Sequence, residues 1–225
     1  MKILKHVLTV FSVMAILTLA GCASKPKVKV VELENKGTSV GVSTPDWIKT
    51  YTAYGISRVQ AVSEFRDKYC VIGEETGVNK QFVLAWADNF SAQQRIGAML
   101  RTTISTEYQA RVQAVAQSSG LGGVSSGTYE QQIDNIINAV VNVSYSGAQR
   151  EADWWSLRRR YDPDKKDVFT DEYTAYVLYT IPKSQLNQQV ARALETSVSA
   201  DSALYDITIG LARQILQNGI SDWGE

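Results

Sequence analysis

Histidine is nearly missing from this chain. Among 225 residues the one histidine is His6, in a stretch that reads as removable. The remainder lacks the side chain most used as a general base near neutral pH. Ser-His-Asp and Cys-His catalysis are thereby excluded, as are histidine-ligated zinc sites, which leaves carboxylate or lysine chemistry. Cysteine is scarce as well, with Cys22 and Cys70 only. An excess of one charge is also missing, because 23 Lys and Arg stand against 23 Asp and Glu. Phosphate binding needs a strong basic excess, so no nucleic-acid partner is expected. No cofactor and no metal are expected either.

What is present begins at the amino terminus. Lys2, Lys5 and His6 precede an apolar run from Val7 to Ala20 that closes in Leu19-Ala20-Gly21-Cys22. That is the layout of an export signal, too short to span a bilayer comfortably and ending in small residues. Leu-Ala-Gly-Cys resembles the bacterial lipobox, which implies acylation of Cys22 and cleavage just before it. Several acyl chains, at about 0.8 kcal/mol per buried methylene, hold a soluble domain on a membrane. Ala23 follows where many inner-membrane lipoproteins carry aspartate, so the outer membrane is the expected location. With Cys22 lipidated, Cys70 has no partner for an intrachain disulfide, and an apolar core must hold the fold.

Removing residues 1–21 leaves 204, 225 minus 21, enough for one domain. Residues 22–44 alternate charge with small polar groups and read as a lipidated flexible tether, although Val28 to Leu33 has the β character to pair with a sheet edge. Residues 45–225 then form a single domain opening at Pro45-Asp46-Trp47-Ile48. Val59, Val62, Phe65 and Tyr69 fit a short helix over Ser57–Tyr69, Cys70–Gly73 a short strand, and Gly73–Gly77 a turn. The longest helical pattern runs from Lys80 to Gln117, with Phe82, Trp86, Phe90, Ile96, Leu100, Ile104 and Tyr108 on one face. Alanines at 85, 87, 92 and 98 let it lie close to a sheet. The glycines of Ser118–Thr128 lack the lysine of a phosphate loop and read as a connector. A second helix follows through Ile133, Ile136, Ile137 and Val140.

A hairpin comes next. Tyr145–Arg160 alternates loosely and Glu172–Ile181 cleanly, with Tyr173, Ala175, Val177, Tyr179 and Ile181 on one face. Trp154 and Trp155, being adjacent, point to opposite faces, so one is exposed or covered by a partner, or else packs under another part of this chain. Asp162, Asp164, Asp167 and Asp171 invite comparison with a calcium loop, but a mid-loop glycine is lacking and Lys165 and Lys166 intrude, so a solvated turn is the better description. Pro182 opens a helix through Leu186, Val190, Ala193 and Leu194. Asp201 caps a last one through Leu204, Ile207, Leu211 and Ile215 that ends at Gly219.

Taken in order, the lipobox, the tether, Pro45-Asp46-Trp47, Gly73-x-x-x-Gly77, the alanine-dotted helix from Ala85 to Ile104, Gly147, Trp154 and Trp155, and Tyr176-Val177-Leu178 before Pro182 resemble the membrane-associated LPP-twenty lipoprotein family. The resemblance covers residues 45 to 195 and contains no catalytic signature. It implies an α+β fold, a long helix and further helices packed on a small antiparallel sheet, in a cell envelope. It also implies partners rather than substrates, since some members are flagellar accessory lipoproteins that assemble around the motor and others are surface antigens.

The expected function is therefore a non-enzymatic envelope lipoprotein acting in protein interaction or assembly, including self-assembly. Trp154, Trp155, Arg158, Arg159 and Arg160 form the candidate interaction surface, because Trp and Arg concentrate at the energetic centres of interfaces. A ligand-binding lipoprotein is the alternative, with Trp47, Trp86, Trp154 or Trp155 stacking on a glycan or small apolar molecule. A hydrolase would need a carboxylate pair such as Glu74 with Glu75 or Glu151 with Asp153, yet neither spacing by itself makes two acids flank a bond.

Overall fold

The computed structural model describes residues 28–119, 126–141, 147–165, 167–221 and 223. The export signal, Cys22 and most of the glycine connector lie outside them.

Four strands form one antiparallel sheet: β1 (Val30–Asn35), β2 (Lys68–Gly77), β3 (Gln149–Tyr161) and β4 (Phe169–Pro182), in the order β1-β3-β4-β2. The helices are α1 (Asp46–Tyr54), α2 (Ile56–Gln60), α3 (Lys80–Trp86), α4 (Ala92–Ser119), α5 (Ser126–Val141), α6 (Lys183–Ser197) and α7 (Tyr205–Asn218). This is the expected α+β class, with a long helix packed on the sheet. Two units are distinguished by their contacts. One contains residues 28–31 and 159–170, and the other Glu32–Arg158 with the chain from Asp171 onward.

In the larger unit both faces of the sheet are covered, which is why β2 and β4 read as nearly continuous apolar runs. On one face Cys70, Ile72, Trp154, Tyr176 and Leu178 pack against Ile48 of α1, Val59 of α2 and Phe65. On the other, Trp155, Ala175 and Val177 meet Val83 and Ala87. The same face continues through Tyr69, Val71 and Ile181 to the buried stripes of α4, α5, α6 and α7. The alternation seen in β4 is confirmed, and Thr174, Tyr176, Leu178 and Thr180 opposite prove equally buried because a second helical layer covers them.

Two local expectations around β2 are corrected. Val59, Val62, Phe65 and Tyr69 do not share a helix. Ile56–Gln60 is α-helical, Ser63–Phe65 is a separate 3-10 turn, and Tyr69 belongs to β2. Ten consecutive residue pairs, from Lys68 with Pro182 to Gly77 with Tyr173, outweigh a weak helical period. For the same reason Gly73–Gly77 is strand and not turn. Gly73 is glycine because a Cβ there would stand 2.2 Å from the carbonyl oxygen of Ala87, so the bare backbone lets the helical layer come close.

The long helix begins at Lys80 as expected but is broken in phase. A π-helical segment, Ala87–Ser91, joins α3 to α4. One inserted residue rotates the buried stripe by about 100°. Val83 of α3 and Ala87 of the π-helical segment therefore face inward, while Phe82 and Trp86, expected on the buried face, are exposed and stack on each other at 5.3 Å. Of the four alanines, 87 and 92 are buried and 85 and 98 exposed.

The tether expectation is corrected where β1 begins, since Val30–Asn35 is a strand. In the larger unit the Lys36 N–H donates to the Trp155 carbonyl, and in the smaller one the Tyr161 N–H donates to the Lys29 carbonyl. The last helix ends at Gly219 as expected, but Leu204 rather than Asp201 stands at its start.

Candidate interaction surface

The two tryptophans go to opposite faces, as adjacent strand residues must. Neither is exposed. Trp154 is 4 % accessible and Trp155 8 %. Lys80 places its ammonium 3.4 Å from the centre of the Trp155 ring, a cation–π contact within this chain. Arg158 donates a hydrogen bond to the Tyr176 hydroxyl. Arg159 lies 3.8 Å over the Phe169 ring, which is 6.0 Å from Tyr161, and Lys29 covers Tyr161 in turn at 5.1 Å. Arg160, the exposed member of the run, is engaged as well. Of the candidate surface of Trp154, Trp155, Arg158, Arg159 and Arg160, the two tryptophans are thus corrected. Its aromatic half is core, covered by helices whose approach no strand-level pattern announces. Cys22, the expected lipid attachment site, lies outside the described residues.

The carboxylates expected in pairs are separated by their partners. Glu74 accepts from the Tyr51 hydroxyl at 2.9 Å and lies 3.3 Å from Arg95, which also donates to the Tyr51 oxygen at 2.7 Å. Glu151 accepts from Lys68 and Thr180, and these bonds hold its carboxyl below the usual range. Asp153 instead pairs with Lys36 at 2.7 Å and with Arg150 at 3.3 Å. Arg150 continues to Asp88, which accepts from Tyr179 too, and burial first and Asp88 second push the Tyr179 phenol up to about 12. In the turn after β3, one Asp162 oxygen accepts the backbone N–H groups of Asp164 and Lys165 at 2.8 and 3.0 Å.

Two clefts open on the larger unit. One, of about 900 Å³, is lined by Asp88, Gln93, Gln94, Arg101, Val141 and Tyr179 among others. The smaller, about 300 Å³, has Trp47, Phe65 and Leu178 with the carboxylates of Asp46, Glu64 and Glu151. Of the tryptophans offered for ligand stacking, only Trp47 and Trp86 reach a surface.

The arrangement the sequence did not announce lies at the sheet edges. β2 is an edge strand, and its outward backbone groups belong to even-numbered residues. Gln60 accepts the Cys70 N–H at 2.6 Å and donates to the Lys68 carbonyl. The Trp223 indole donates to the Cys70 carbonyl at 2.9 Å. Ser91, from the π-helical segment, both accepts the Glu74 N–H and donates to the Glu74 carbonyl, each at 3.0 Å. Three side chains thereby occupy groups that would otherwise template another strand. β1, the opposite edge, has nothing comparable along Val30–Glu34 among the described residues. Val30, Val31 and Leu33 are 49 %, 37 % and 43 % exposed. The only signal in sequence for this difference was the β character of Val28–Leu33.

Neither a scan against family models nor searches of curated proteins and of solved structures finds a match to this chain, so the likeness to LPP-twenty lipoproteins rests on the residue pattern alone.

Proposed function

We propose that this chain is a non-enzymatic envelope lipoprotein, held at the outer membrane by acyl chains on Cys22, whose folded part works through protein contact in envelope or flagellar assembly. The observation that carries the proposal is Leu19-Ala20-Gly21-Cys22 at the end of a basic-then-apolar leader. The engagement of Glu74, Glu151 and Asp153 by neighbouring cations and hydroxyls supports a structural use for the acids first considered for hydrolysis. Cys22→Ser tests the anchor. Acyl labelling is expected to vanish, with the protein released from membranes or retained as uncleaved precursor. Unchanged labelling overturns the proposal.

A second function has one specific observation in its favour. Trp47 and Phe65 border a cleft rimmed by three carboxylates, a suitable setting for a small ligand with an apolar body and a cationic end. Titration with alkylamines and amino sugars, followed by intrinsic fluorescence in the wild type and Trp47→Phe, tests it. A saturable change that the substitution abolishes favours binding, and no change at any concentration removes it.

A further inference from the structure

We propose that the cleft of about 900 Å³ beside α4 binds a carboxylate-bearing oligosaccharide, with the Tyr179 ring against a sugar face, Gln93 and Gln94 on its hydroxyls and Arg101 on its carboxylate. This goes beyond the contact role proposed above and depends neither on the lipid anchor nor on the cleft at Trp47.

The cleft lies wholly within the larger unit, lined from α4, from Val141 at the end of α5 and from Tyr179 of β4. Its volume falls towards the upper end of the about 300–1,000 Å³ usual for small-molecule sites, so more than one sugar ring has room. Small residues keep it open, since Ala92, Gly97, Ala98 and Ala148 stand where larger side chains would fill the space. At Gly97 a Cβ would come 3.3 Å from Cγ1 of Val141, so α4 and α5 meet at this point.

One aromatic ring in the cleft is pinned. Tyr179 is half-buried, and its hydroxyl bonds the Asp88 carboxylate and lies 3.1 Å from the Asp88 carbonyl oxygen. Arg150 holds the same carboxylate at 3.0 Å. Asp88 belongs to the π-helical segment, a kind of irregularity that helices often carry at functional sites. A ring tied down at its hydroxyl has little rotamer freedom left to lose, so stacking on the apolar C–H face of a pyranose costs little ordering.

The polar groups select the ligand. Gln93 and Gln94 are exposed on α4 and make no side-chain hydrogen bond among the described residues. Asn89 spends its amide nitrogen on the Ala85 carbonyl and keeps its oxygen as an acceptor. Primary amides both donate and accept, as sugar hydroxyls do, so the two surfaces match in either sense. Asp88 is neutralised by Arg150, which leaves it little attraction for a cationic ligand. Arg101 is different, because its guanidinium makes one hydrogen bond, to Asn138 at 2.7 Å, and pairs with no carboxylate among the described residues. Its remaining donors form a planar fork that fits a carboxylate. An apolar ligand would leave these amides and Arg101 unmatched, and a polyphosphate would need more than one cation.

Titration calorimetry tests the inference on the full-length protein in a detergent without sugar headgroups. The probes are trigalacturonate, the same trisaccharide with its carboxyls methyl-esterified, and the disaccharide of N-acetylglucosamine with N-acetylmuramic acid. At least one acid probe is expected to bind saturably, and the ester about tenfold more weakly than trigalacturonate, the size of one charge-assisted hydrogen bond. Arg101→Gln is expected to abolish the difference between acid and ester. Gln93→Ala with Gln94→Ala, at exposed helical positions where alanine is well tolerated, is expected to weaken both about tenfold without moving the thermal midpoint. The acid probes separate two sources of one chemistry. Tighter binding of the disaccharide, whose carboxylate sits on a lactyl ether, supports a cell-wall glycan, and tighter binding of trigalacturonate supports a uronic-acid polysaccharide. The inference is overturned by the absence of saturable heat from both acids at millimolar concentration. Equal binding of acid and ester also overturns it, since Arg101 would then read nothing. So does binding that survives the Gln93 and Gln94 changes or is removed by Trp47→Phe, because the ligand would then sit elsewhere.

Discussion

The two outer strands of one sheet are treated in opposite ways. β2 lies under helices on both faces, pairs with β4 over ten residues, and has outward backbone groups taken by Gln60, Trp223 and Ser91. β1 is exposed along most of its length. An edge bonded by side chains cannot slip or recruit, because any added strand must first displace bonds already made. An edge without them keeps its hydrogen-bonding capacity in reserve at little cost while water occupies it. Edge bonding by side chains is thus concentrated at β2 and exposure at β1. Substitutions separate these two treatments.

The largest effect is expected where both edges depend on the same core. Trp154→Ala and Trp155→Ala remove rings buried on opposite faces of β3, the strand next to β1, and each should cost about 3–5 kcal/mol. Chemical denaturation measures this directly. A loss below about 1 kcal/mol for either would return that ring to the surface role first expected of it. Next is Gly73→Ala. The added methyl would meet the Ala87 carbonyl at 2.2 Å, and because that atom is backbone the π-helical segment must move, taking Ser91 away from the edge. A loss of about 3 kcal/mol is expected from such overpacking.

How much of this could be read from sequence depended on the range of the cause. Strand alternation in Glu172–Ile181 and helical spacing in Leu186–Leu194 are local, and both were legible. The buried stripe of the long helix was legible only from Ile96 onward, because the π-helical segment shifts the phase and nothing in Ala87–Ser91 marks the shift. Gly73 was noticed as a glycine but taken for a turn. Its reason, the approach of Ala87, involves a contact that only the fold creates. The fate of Trp154 was half legible, since opposite faces follow from adjacency, whereas the covering of both faces depends on α1 and α3 returning to the sheet. Gln60, Ser91 and Trp223 carried no signal at all, because a side chain that caps a distant strand edge has no required spacing.

Sharper still is a comparison of edge with edge. Gln60→Ala and Ser91→Ala leave β2 backbone groups unsatisfied, and each should lower stability by about 1–3 kcal/mol. Val31→Thr and Leu33→Thr, on the exposed strand, should stay within about 0.5 kcal/mol. The qualitative difference matters more than the magnitudes. Opening β2 frees backbone groups that can recruit another strand, so Ser91→Ala should show concentration-dependent association by light scattering that the β1 changes do not. Equal behaviour of the two sets would mean that the edges do not differ in function.

The smallest effect is one of pH, and it too is confined to the sealed edge. Burial pushes the Cys70 thiol from 9.0 up to about 12, with the nearby Lys68 opposing and Glu151 assisting. Burial also raises the phenol of Tyr69, the next residue, against the lowering effect of its bonds to Ile220 and Asn187. A folded-state pKa raised above the unfolded value means that the folded chain holds its proton longer. The stability tied to the protonated form is then complete below pH 9 and is lost as pH climbs from 9 towards 12. At pH 10 the Cys70 contribution amounts to about 1 kcal/mol. Unfolding midpoints at pH 7 and pH 10 should therefore differ for the wild type and differ less for Cys70→Ala, which has no thiol to ionise. Reaction with a thiol reagent should be slow in the native protein at both pH values and fast once it is unfolded. Rapid native labelling at pH 7 would show that the Cys70 position opens without global unfolding, and with it the edge that Gln60 and Trp223 close.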